Sequence, residues 1–114
     1  GMKTAILSNG SPAMLKAAVN AASFGALFDA VLSVEEAGVF KPHPSVYALV
    51  TQHFSCAPED IAFVSSNGWD AHAAAAFGMR AIWCNRASLP HERLPGTIAA
   101  QIRSLAELPA LFGL

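Results

Sequence analysis

The sequence predicts an α/β fold, a parallel sheet with helices on both faces and Rossmann-like winding. Three observations carry this expectation. Four short runs, at residues 3–7, 30–34, 61–64 and 81–84, are apolar without strict polar alternation, the pattern of strands covered on both faces. Helix-length segments of about ten residues separate them, as strand–helix alternation requires. The first and third runs break at turns built from Ser, Asn and Gly that lead into helices.

Taken in order, residues 3–7 end in Ala5, Ile6 and Leu7 and stop at Ser8, Asn9 and Gly10. Ser11 offers an N-cap and Pro12 a first helical position, which predicts a helix over residues 12–22 closed by Gly25. Residues 30–34 are β-branched at Val31 and Val34 and enter a loop carrying Gly38, Lys41, Pro42, His43 and Pro44. From Ser45, the residues Val46, Leu49, Val50, His53 and Phe54 fall at helical spacing and mark the inner face of a second helix; Tyr47 lies off that stripe. Residues 61–64 break at Ser65, Ser66, Asn67 and Gly68, after which 69–77 is an alanine-rich helix with Gly78 at its stop. Residues 81–84 form a further strand, 85–96 a proline-bearing loop, and Ser104 caps a closing helix through Leu108. No internal repeat or domain boundary interrupts residues 1–114.

Composition narrows the function classes. With 54 % hydrophobic and 13 % charged residues and a mean hydropathy of +0.41, the chain lies outside the disordered range. Seven Lys and Arg against eight Asp and Glu leave no basic footprint for nucleic acid or an anionic membrane. The apolar stretches are broken before the roughly 18 to 20 residues of a membrane span, for example by Arg80 after 71–79. Gly1 reads as a leftover ahead of Met2 and no leader pattern follows, so a cytoplasmic location is expected. Cys56 and Cys84 lack framework spacing and fit buried free thiols in a reducing compartment. His43, His53, His72 and His91 form no metal-ligand spacing, and no metal or other cofactor is expected.

In open parallel sheets, ligands sit beyond the carboxyl ends of the strands, against helix N-termini rich in amide donors. That rule selects Ser8, Asn9 and Gly10, and then Ser65, Ser66, Asn67 and Asp70. Short polar residues occur in any such turn, but two on one edge carry more weight. Lys41 sits in a loop stiffened by prolines, where an ammonium can neutralise an active-site anion. Asp70, in a first helical turn, equally complements the helix dipole.

The series from Leu7 to Ser11, from Val39 to Pro44 and from Phe63 to Asp70 closely resembles the L-2-haloacid dehalogenases of the haloacid dehalogenase superfamily, in order and in spacing. The likeness runs from about residue 3 to 86, and Ser-Ser-Asn-x-Trp-Asp is specific to that branch. The resemblance implies a hydrolase that removes halide from short 2-haloalkanoic acids through an aspartyl ester. Ser8 and Asn9 match positions that bind the substrate carboxylate, and Lys41 matches the lysine that keeps the nucleophilic aspartate ionised. Tyr47 matches a tyrosine lining the site, Ser65 and Asn67 match residues that orient the nucleophile and its ester, and Asp70 matches the carboxylate paired with that lysine. Trp69 is a candidate halide contact, and equally an aromatic packed at a helix start. Superfamily phosphatases carry Gly-Asp and a second Asp at this turn as magnesium ligands. Here Ser and Asn stand in place of the first, which leaves only Asp70 and favours metal-free chemistry.

Members of the family begin with a strand ending in Asp-x-x-x-Thr, whose aspartate attacks the halogen-bearing carbon, and then insert a helical cap. Neither is present in the 114 residues, so the resemblance implies an incomplete core, 1–114, lacking its first strand, its cap and its nucleophile. Asp29 and Asp60 lie at strand entrances, away from that role. The chain alone is therefore expected not to dehalogenate. Its missing strand belongs between residues 3–7 and 61–64, and the orphaned edges imply a homo-oligomer or pairing with a missing N-terminal segment. Alternatives are a phosphatase-like hydrolase and an inactive fragment that binds a partner chain.

Overall fold

The computed structural model describes residues 2–21, 28–91 and 93–113, in two compact units, Gly1–Phe54 and Ser55–Leu114. In the first unit, β1 (Ala5–Ser8) and β2 (Ala30–Ser33) run parallel in the register Ala5↔Ala30 to Ser8↔Ser33. Asp29 ties the strand entrances together: its carboxylate accepts from the Thr4 amide at 2.7 Å while its own amide donates to the Thr4 carbonyl at 2.7 Å.

Helix α1 (Pro12–Ala21) starts as expected, with the Met14 amide donating to Ser11 Oγ at 3.2 Å and the Leu15 amide to the Ser11 carbonyl at 2.9 Å. The closure expected at Gly25 lies outside the described residues. Val34, expected to end the second strand, instead opens a 3₁₀ turn (Val34–Glu36) because Ser33 Oγ accepts the Glu35 amide and caps it. Gly38 follows at φ +73°, a conformation glycine takes without strain. The Lys41–Pro42 peptide is cis.

Helix α2 spans Pro44–Phe54, one residue earlier than expected, with Pro44 at its first position and the Ser45 amide donating to His43 Nδ1 at 3.2 Å. Its buried residues are Val46, Tyr47 and Val50, which corrects the expected stripe: Tyr47 is fully buried while His53 is exposed. The buried arc is centred on positions 46, 47 and 50, so i,i+3 and i,i+4 neighbours on one side face inward and His53 falls beyond the rim.

The second unit holds a three-stranded parallel sheet in the order β3-β4-β5, with β3 at Ala62–Ser65, β4 at Arg80–Cys84 and β5 at Ala100–Ile102. Strand β5 was not predicted. It is three residues long, and only Ile102 is fully buried, so no periodic pattern marks it. The expected burial on both faces is reached by the central strand, where all of β4 after Arg80 is buried. Its Ile82 and Cys84 form a core with Ile102, against which Val64, Ala100, Leu108 and Phe112 pack. Cys56, by contrast, is only half-buried, which corrects the expectation for that thiol; both cysteines are free.

Helix α3 (Gly68–Phe77) ends as predicted. Gly78 adopts φ +116°, its amide donates to the Ala75 carbonyl at 3.0 Å and the Met79 amide to the Ala74 carbonyl at 3.1 Å, the paired bonds of a left-handed C-terminal cap. Alanines let this helix lie close, and the loop after β4 closes onto it. A methyl at Gly96 would collide with the His72 carbonyl oxygen, and His72 Nδ1 bonds the Gly96 carbonyl at 3.0 Å. Buried Asn85 shapes the start of that loop through Nδ2 to the Leu89 carbonyl, 2.8 Å, and the Leu89 amide to Oδ1, 2.9 Å. Ser104 forms a capping box with Glu107 around a 3₁₀ turn (Leu105–Glu107), followed by the short helix α4 (Leu108–Leu111).

Among the described residues, β1 and β3 are each an edge strand of their own sheet. Nor is any described helix long and apolar enough to cross a membrane.

Candidate functional site

Strands β1, β2 and β3 all end on serine, and each serine does the same work. Ser8 Oγ accepts the Gly10 amide at 3.1 Å, Ser33 Oγ the Glu35 amide at 3.2 Å, and Ser65 Oγ the Asn67 amide at 3.1 Å. A hydroxyl that accepts from the amide two residues on bends the chain sharply at the strand exit. The hydroxyl proton remains to donate, which at Ser8 and Ser65 is a resource for binding an anion.

In the first unit the structure places Ser8 and Asn9 in the exit turn of β1, Lys41 in the loop before α2, and Tyr47 inside α2. It joins two of them directly, because Asn9 Oδ1 accepts the Lys41 backbone amide at 3.1 Å. Asn9 is thus committed at its acceptor end, and its amide nitrogen is the end left to donate. Ser33, which sequence reasoning missed, supports this turn from β2: it is 2 % exposed and its hydroxyl donates to the Gly10 carbonyl at 2.7 Å. Lys41 is half-buried and Tyr47 fully so.

In the second unit Ser65 ends β3, Asn67 is the N-cap of α3, and Trp69 and Asp70 occupy its first turn. The Asp70 and Ala71 amides both donate to the Asn67 carbonyl at 3.1 Å, while the Asn67 side chain makes no capping bond. Asp70 is 3 % exposed and Trp69 39 % exposed. A carboxylate in the first turn sits where the helix dipole and unpaired amides favour negative charge. Trp83 of β4, also missed, braces this turn through Nε1 to the Ser66 carbonyl at 3.2 Å. Gly68 permits that approach, since a methyl there would lie 3.2 Å from Trp83 Cζ2. Strand-ending serines were a visible signal for Ser33; nothing in the sequence marked Trp83.

What each turn can do follows from these groups. The first offers a serine hydroxyl and an amide at the N-terminal end of α1, fitted to an anionic ligand, beside a lysine in a tethered loop. The second offers a hydroxyl, a carboxamide and a buried carboxylate. Among the described residues, no three His, Cys, Asp or Glu side chains converge as metal ligands.

The family model of haloacid dehalogenase-like hydrolases matches residues 1–78. An (S)-2-haloacid dehalogenase of Pseudomonas sp. (strain CBS-3) is 40 % identical over 111 residues, 97 % of this chain and 49 % of its own length. An L-2-haloacid dehalogenase crystal structure superposes with a TM-score of 0.96 at 40 % identity, covering 100 % of this chain and 50 % of that one. The Xanthobacter autotrophicus L-2-haloacid dehalogenase with chloropropionic acid covalently bound gives a TM-score of 0.92 at 36 % identity over 98 % of this chain and 55 % of that one. The chain spans about half the length of the curated relatives it matches.

Proposed function

Because the chain belongs to the haloacid dehalogenase-like hydrolase family, we propose that it is the supporting half of an (S)-2-haloacid dehalogenase core, its two compact units being parts of one incomplete domain. The observation that carries this reading is the pair of strand-exit turns, Ser8-Asn9 and Ser65-Ser66-Asn67, each joined to a helix N-terminus by the same serine device. The 40 % identity to (S)-2-haloacid dehalogenases across nearly all of this chain supports the substrate class, a short 2-haloalkanoic acid.

The reaction divides between this chain and a segment that supplies the nucleophile. An aspartate carboxylate from that segment attacks the carbon bearing the halogen, the carbon–halogen bond breaks and halide leaves with the bonding pair. Water then attacks the ester carbonyl, releasing the 2-hydroxy acid and a proton and restoring the carboxylate. Ser8 and Asn9 bind the substrate carboxylate by donating to it, and Lys41 favours the ionised nucleophile. Ser65 and Asn67 orient the nucleophile and its ester, Asp70 positions the water, Tyr47 lines the site and Trp69 contacts the departing halide. No step requires a metal.

Among the described residues β1 and β3 are edge strands of their sheets, which supports strand addition by a segment that bears the nucleophile. The free thiols Cys56 and Cys84 support a reducing, cytoplasmic setting. The test is halide release from 2-chloropropionic acid by the chain alone and after mixing with a peptide segment bearing a strand that ends in Asp-x-x-x-Thr. We expect no release alone and release on mixing. Magnesium-dependent turnover of p-nitrophenyl phosphate by the mixture, without halide release, would instead identify a phosphatase-like hydrolase. Strand exchange without either activity would leave a binding fragment.

A further inference from the structure

We propose that Ser33 is a positioning residue for Lys41, acting across two segments through the exit turn of β1. The chain of contacts is continuous. The Ser33 hydroxyl donates to the Gly10 carbonyl at 2.7 Å, and its second site is filled by the Glu35 amide at 3.2 Å, so its one proton has a fixed direction. Gly10 is held from its other side by Ser8 Oγ, which accepts its amide at 3.1 Å. Between them Asn9 projects its Oδ1 onto the Lys41 amide, 3.1 Å away and thirty-two residues along the chain. Because Ser33 is 2 % exposed, water is poorly placed to replace its hydroxyl.

The turn therefore acts as a latch. Ser33 fixes Gly10, Gly10 fixes the orientation of Asn9, and Asn9 fixes the backbone from which the Lys41 ammonium extends. The value of the latch to catalysis rests on the role proposed above for Lys41, while the latch itself is read from the first unit alone.

The test is amide hydrogen exchange and the amide chemical shift of Lys41 in the full 114-residue chain. In Ser33→Ala, Lys41 exchange should quicken about tenfold, as expected for a released hydrogen bond in an otherwise folded segment. The β1–β2 ladder amides should stay protected, and Ser33→Thr, which keeps the hydroxyl, should restore the native rate. Asn9→Ala should give the same acceleration, with Ser33→Ala adding nothing further in that background. Unchanged Lys41 exchange in Ser33→Ala, or equal acceleration by Ser33→Ala whether Asn9 is present or not, overturns the latch. If Ser33→Ala unfolds the ladder, Ser33→Cys decides: it fills the same space with a weak donor, and a native Lys41 rate in it overturns the proposal. None of these measurements reads dehalogenation, so failure of the proposed reaction and failure of the latch are told apart.

Discussion

The exit turns of β1 and β3 use one device to different ends. In both, the last serine of the strand accepts the amide two residues on at 3.1 Å. After β1, however, capping of the following helix falls to a separate residue, Ser11, which leaves Asn9 to reach across to Lys41. After β3 the asparagine is itself the N-cap, makes no side-chain capping bond, and the turn is braced by Trp83 instead. One turn is thus tied to a loop by an exposed side-chain hydrogen bond, the other to a buried aromatic of the central strand. Similar residues in similar turns acquire different mechanical duties according to which neighbour takes over the cap.

The largest effects test whether both turns serve one reaction. If the proposed reaction holds, then in a mixture with a nucleophile-bearing segment Lys41→Ala and Asp70→Ala should each lower kcat for halide release by about a thousandfold, and the double variant should lose little more, as groups acting as a unit do. Multiplying losses would separate the two turns functionally. Next in size is Trp83→Ala, which empties a site 3 % exposed and removes the brace on Ser66; urea unfolding of the chain should show a loss of about 3 kcal/mol.

Smaller changes sharpen the contrast. Gly68→Ala presses a methyl to 3.2 Å from Trp83 Cζ2, and a ring held by its own hydrogen bond cannot easily yield, so about 1 kcal/mol should be lost. Gly10→Ala meets the flexible end of Leu15 at 3.3 Å and Ser8 Oγ at an ordinary 3.5 Å, and should change stability by less than about 0.5 kcal/mol in the same unfolding assay. Ser8→Ala and Ser65→Ala, both at half-buried sites, should cost about 0.5 kcal/mol each. Unequal losses would show that the shared device is not equally used.

Much of this layout was legible in the sequence because the signals were local. Apolar runs marked four strands, Ser11-Pro12 marked the start of α1, and Gly78 marked the end of α3. What escaped depends on distant partners. Strand β5 exists because Ile102 completes a core begun by Ile82 and Cys84, and three residues are too few to show a period. Tyr47 falls outside the predicted apolar stripe because helical spacing alone does not fix the centre of a buried arc. Ser33 escapes notice because residues 34–37, unlike those directly after Ser8 and Ser65, include no Asn or Gly to signal a turn, although Leu32-Ser33 repeats the strand ending of Leu7-Ser8. Of the candidate site, the residue identities and their strand-exit positions could be read; the bond from Asn9 to Lys41 and the brace from Trp83 could not.

In the proposed reaction the attacking carboxylate is none of Asp29, Asp60 and Asp70. Repeated turnover of 2-chloropropionic acid by the reconstituted enzyme in heavy-oxygen water tests it directly, because hydrolysis at the ester carbonyl places water oxygen in the nucleophile. Peptide mass analysis should find the label on the aspartate of the added segment and none on Asp29, Asp60 or Asp70. Label on any of those three would contradict the account.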